Sequence, residues 1–141
     1  MAGLIARASV DIQAPREQVW AALTDPALIA QHMWGAKVDT DWQVGSPITW
    51  HGELQGRAYE DKGEVLVHDE PERLSMTHFS PLTGEDDAPE NYHTLVYTLT
   101  GSERGTRVEL TQDGCEDDEQ VEQFSANWQD HLNGLKRVVE G

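Results

Sequence analysis

The chain has 141 residues, 10 of them basic and 26 acidic, for a formal charge of -16, which repels phosphate backbones and anionic lipid surfaces and argues against a nucleic-acid partner. That length suits a single domain, residues 1–141, burying about two-thirds of its unfolded surface without a metal or disulfide staple. Cys115 is alone, no run has the length and apolarity of a membrane span, and the first residues lack the basic and apolar regions of a signal peptide, so a cytoplasmic protein is expected.

Leu4, Ala6, Ala8, Val10 and Ile12 recur with a period of two, which predicts a first strand with one buried face. Pro15 suits a first helical position, and Val19, Trp20 and Leu23 give a short helix its apolar face. Asp25-Pro26 restarts a second short helix carrying Leu28 and Ile29. Between Met33 and Gly45 the signal is weak, with Trp34, Val38, Trp42 and Val44 marking an irregular strand or two. Ile48 to Glu53 and Arg57 to His68 read as a hairpin across Leu54-Gln55-Gly56, and Asp69-Glu70-Pro71-Glu72 turns the chain into Arg73 to Phe79. A four-residue loop at that turn sets Val67 opposite Leu74, Val65 opposite Met76 and Gly63 opposite His78, whereas a one-residue slip would swap every face. Pro81 to Glu90 is acidic and aperiodic, a loop within the domain.

Leu95, Tyr97 and Leu99 alternate again, Gly101-Ser102-Glu103-Arg104 turns, and Val108 and Leu110 repeat the pattern. This reading pairs Tyr97 with Val108, Leu95 with Leu110 and His93 with Gln112. The chain closes in a long amphipathic helix from Asp117 to Glu140, with Val121, Phe124, Trp128, Leu132, Leu135 and Val139 on one stripe. Asp117 and Gln120 fit a capping box, and Lys136 and Arg137 suit the negative end of the helix dipole. So long a stripe needs a broad partner, and a curved antiparallel sheet is the only surface the preceding strands can build. Phe124, Trp128, Leu132 and Leu135 are expected to pack against it, and truncation of Trp128 would then cost about 3–5 kcal/mol.

A strand, two small helices, a run of antiparallel strands and a long final helix make an α+β helix-grip arrangement. The matching pieces are Ala14-Pro15 with Val19-Trp20 and Leu23-Thr24-Asp25, Trp34, Val44-Gly45, Gly63-Glu64-Val65-Leu66 leading to Pro71 and Leu74, Gly105-Thr106-Arg107-Val108-Glu109-Leu110, and Trp128 with Leu132 and Leu135-Lys136. In these the chain resembles the SRPBCC superfamily (START-like, birch-pollen-allergen-like) and, within it, the AHSA-like group named for an activator of a heat-shock ATPase. The resemblance implies a cavity between sheet and helix. It departs at His78, where the family often has Trp, at Ser46, where it has a second Gly, and at His68, where it has an apolar residue, so a more polar cavity is implied.

Gly-x-Ser-x-Gly, P-loop and dinucleotide motifs are absent, and the acids around Cys115 raise rather than lower its pKa, so no catalytic nucleophile is expected. The six His residues show no ligand spacing, so neither a metal nor a cofactor is expected. The candidate constellation is His78, Tyr97, Met76, Trp50, His93, Gln112 and Trp128, an apolar wall with a few convergent polar groups. Read blandly, Tyr97 and the Trp residues are ordinary core with their polar tips bonded to backbone or water. Three functions follow, for a monomer or homodimer off the membrane. The first is non-enzymatic binding of a small, largely apolar molecule. The second is a co-chaperone-like module offering an acidic surface to a protein partner. The third, drawn from the cyclase relatives, is acid–base chemistry on a polyketide-like substrate by a His and a Tyr. An open cavity of several hundred Å³ would favour the first, and a filled core with an exposed apolar patch the second.

Overall fold

The computed structural model describes residues 4–32, 36–54, 56–80 and 86–140. Trp34, Gln55 and Pro81 to Glu85 lie outside them, and with them part of the resemblance, of the first hairpin turn and of the acidic loop. In chain order the elements are β1 (Leu4–Ile12), α1 (Arg16–Thr24), α2 (Pro26–His32), β2 (Lys37–Asp39), β3 (Pro47–Leu54), β4 (Arg57–Asp69), β5 (Arg73–His78), β6 (His93–Ser102), β7 (Gly105–Cys115) and α3 (Asp118–Glu140). The strands form one seven-stranded antiparallel sheet in the order β1-β7-β6-β5-β4-β3-β2. First and last strands are thereby neighbours, and α3 follows β7 back across the sheet. This is the helix-grip fold that the periodicities imply.

The start of α3 carries a variant of the expected capping box, in which the Gln120 side chain reaches the N–H of the residue before the Asp117 cap. Gln120 N donates to Asp117 Oδ1 at 2.8 Å, and Glu116 N donates to Gln120 Oε1 at 2.9 Å. Along the helix His131, Leu132 and Leu135 are buried, while Phe124 and Trp128 are only partly covered. The expected stripe is therefore right in direction and shifted toward the C-terminus. The reason lies on the neighbouring face, which follows the free edge of β1. Arg7 N donates to Ser125 Oγ at 3.1 Å, Gln129 bonds both Ser9 N and Ser9 O, Lys136 Nζ reaches Asp11 O at 2.7 Å, and Glu140 Oε2 accepts from Gln13 N at 2.8 Å. Side chains of α3 thus occupy backbone groups that an edge strand would otherwise offer to another chain.

Two registers differ from the sequence reading. At the β4–β5 turn Asp69 already pairs with Arg73, and the loop is one residue shorter than expected, so Val67 faces Ser75 and His68 faces Leu74. A bulge between Val65 and Val67 then absorbs one residue, restoring Val65 opposite Met76 and, further on, Lys62 opposite Phe79. In the β6–β7 hairpin the turn is also tighter, Ser102 pairing with Gly105, which sets Leu95 opposite Gln112, Tyr97 opposite Leu110 and Leu99 opposite Val108. That slip is two residues, so every side chain keeps its face.

Candidate functional site

Leu74, Met76 and His78 alternate along β5, Leu95 and Tyr97 along β6, and Trp50 stands on β3; all point to the concave face of the sheet. With Trp128 from α3, Leu23 from α1, Ile29 from α2 and Trp42 from the β2–β3 connection, they enclose a cavity of about 40 Å³. Five of the seven sequence-predicted residues line it: Trp50, Met76, His78, Tyr97 and Trp128. His93 and Gln112 do not. His93 stands opposite His78 across β5–β6, but its Nδ1 lies 3.2 Å from Asp113 O and its ring packs against Phe124. Gln112 is buried behind the wall, where its Oε1 accepts from Trp128 Nε1 at 2.6 Å and holds the indole in place.

His78 and Tyr97 each have a partner that sequence reasoning missed. His78 Nε2 lies 2.9 Å from Asp61 Oδ2, with the edge of the Trp50 ring 5.2 Å away between centroids. Asp61 faces Trp50 across β3–β4, so it shares the concave face and adjoins the cavity beside His78 without lining it. Its other oxygen, Oδ1, is buried and has no hydrogen-bond partner among the described residues. Tyr97 Oη lies 3.0 Å from His131 Nε2, and both side chains are buried. The signals were present: Asp61 has the parity of buried Val65, and His131 falls three residues after Trp128 and four before Leu135, on the apolar stripe.

His68 leaves the cavity and packs against the rings of Trp20 and Trp42, at centroid distances of 5.2 and 6.2 Å. Of the implied polar departures, His78 alone lines the wall. Trp42 holds φ 62°, a left-handed conformation that costs a non-glycine residue on the order of 1–2 kcal/mol. Burial, more than the neighbouring acids Asp113 and Asp117, pushes the Cys115 thiol up. No group of three His, Cys, Asp or Glu side chains that could hold a metal occurs among the described residues, and no described helix is long and apolar enough to cross a membrane.

Burial also raises the pKa of Tyr97 far above the ordinary phenol. The folded state holds that proton more tightly than the unfolded chain, so the stability contributed by neutral Tyr97 is complete below about pH 10 and falls as pH rises above it. Urea unfolding of the protein and of Tyr97→Phe at a series of alkaline pH values should show the steeper loss in the parent. The slopes differ by up to about 1.4 kcal/mol per pH unit, and equal slopes would place the phenol in contact with water.

A seven-stranded antiparallel sheet closed over an apolar cavity by a long C-terminal helix defines a helix-grip protein of the SRPBCC type. Residues 13–140 match the family described as Activator of Hsp90 ATPase homolog 1-like protein, and the chain belongs to that family. Among solved structures it is similar to ChR145 of Cytophaga hutchinsonii, with 46% identity, a TM-score of 0.87, and coverage of 99% of this chain and 96% of that one. It is also similar to DynU16, a protein of the dynemicin biosynthetic locus, at 25% identity and a TM-score of 0.78, over 96% of this chain and 47% of the other. The Aha1 dimer of Colwellia psychrerythraea shares the fold, with 18% identity, a TM-score of 0.76, and coverage of 98% and 97%. No protein of curated function matches.

Proposed function

We propose that the protein binds a small, largely apolar molecule between the sheet and α3, without transforming it. Neither criterion set by the sequence is met in full. The cavity holds about 40 Å³, against about 300–1,000 Å³ for pockets that take a drug-sized ligand. On the other side, the large apolar side chains exposed among the described residues are Leu4, Ile5 and Val44, at the start of β1 and in the β2–β3 connection, which offers scant support for an apolar docking patch. The observation that carries the reading is the interior one: His78 and Tyr97 converge on an otherwise apolar wall, with a partnerless carboxylate oxygen of Asp61 beside His78. A ligand gains room by displacing Trp128 and Trp42, the two partly covered indoles of the wall.

Titration with toluene and short-chain alcohols, followed by NMR at the indole N–H of Trp50 and Trp128 and the methyl of Met76, tests this. Saturable shifts confined to these signals are expected. If every probe leaves them unmoved, the interior is filled core and the protein-interaction module takes its place.

A further inference from the structure

We propose that the molecule taken up presents a hydrogen-bond donor, a hydroxyl or an amine, to Asp61, and that a carboxylate of the same size is rejected. This rests on the cavity-binding reading and adds the polarity of the ligand. Asp61 Oδ2 is engaged by His78, whereas Oδ1 is buried with no hydrogen-bond partner among the described residues. The side chains of His78 and Asp61 are 22% and 15% exposed, so bulk water does little for that oxygen. Leaving a buried acceptor unmade is costly, and an ionised carboxylate accepts only, so its complement is a donor.

Two further polar groups of the wall are already engaged. Tyr97 Oη is paired with His131, and Trp128 Nε1 with Gln112. An apolar body against Trp50, Met76 and Trp128 and a donor toward Asp61 would satisfy both parts of the site. A carboxylate there would face Asp61 across a poorly solvated gap, under the field of a chain carrying -16.

The test compares four single-ring probes, toluene, benzyl alcohol, benzylamine and benzoate, by NMR titration at physiological ionic strength, where the long-range field is largely screened. Benzyl alcohol and benzylamine should bind about tenfold tighter than toluene, with benzoate weakest. The alcohol–toluene comparison involves no net charge and isolates the local bond. Asp61→Ala, which removes both acceptor oxygens, should abolish the gain of the alcohol and the amine over toluene; should that variant not fold, the ranking on the parent decides alone. Toluene binding as tightly as the alcohol and the amine, benzoate matching them, or Asp61→Ala keeping the gain would each overturn the inference and leave cavity binding standing. Failure of all four probes to bind overturns both.

Discussion

Replacing Gly63 with alanine is expected to lower stability by about 3 kcal/mol, seen as a fall of roughly 10 °C in Tm. A Cβ at this position would fall on the carbonyl oxygen of Thr77, with Thr77 Oγ1 3.1 Å away. The obstacle is backbone of the adjacent strand and cannot rotate aside. Here β4 comes close to β5 just beyond the bulge, where Glu64 N donates to Thr77 Oγ1 at 2.9 Å, and Gly63 sits between the Lys62–Phe79 and Val65–Met76 pairs. Relieving the overlap means prising apart the strands that carry Val65, Met76 and His78, so the loss should extend to the cavity wall. Gly56→Ala is the control: its φ of 78° strains any side chain, yet nothing lies within 4 Å of the added carbon. That change should cost about 1 kcal/mol. Equal losses for the two variants would show that the β4–β5 approach relaxes freely.

Leu132→Ala should be the other severe change, at about 4 kcal/mol, because Leu132 has no exposed surface and sits where α3 meets the core. Trp128→Ala should cost less than the sequence-based figure, since the indole is only partly covered and borders the cavity. Urea unfolding with m-values checks the order. A loss below about 1 kcal/mol at Leu132 would mean that α3 does not carry the core, and a Trp128 variant worse than the Leu132 variant would move the core toward the first half of the helix.

Strand and helix periods, with the turn residues between them, were enough to derive the fold from the sequence. They placed α3 and its Asp117–Gln120 cap, the two short helices, and the inward parity of Met76, His78 and Tyr97. Parity survives an error of two residues, which is why the slipped β6–β7 register did no harm. At β4–β5 an error of one residue would have turned the site outward, and the expectation for Met76 held because the bulge near Leu66 cancels the shorter loop. Loop length and bulge are set by backbone geometry across two strands, which no single-strand pattern encodes.

The same limit applies to the pairs that give the site its chemistry. Asp61 and His78 are 17 residues apart, Tyr97 and His131 are 34. Their residue types and parities were legible, but their meeting depends on how strands and helix are superposed. Ser125, Gln129, Lys136 and Glu140 bind the free edge of β1 because the last strand brings α3 alongside the first, a contact no pattern within the helix announces. Cavity volume is likewise a tertiary quantity. It is the small difference between the space a curved sheet and a helix enclose and the volume of the side chains filling it, so one rotamer of Trp128 or Trp42 changes it by more than composition can foretell.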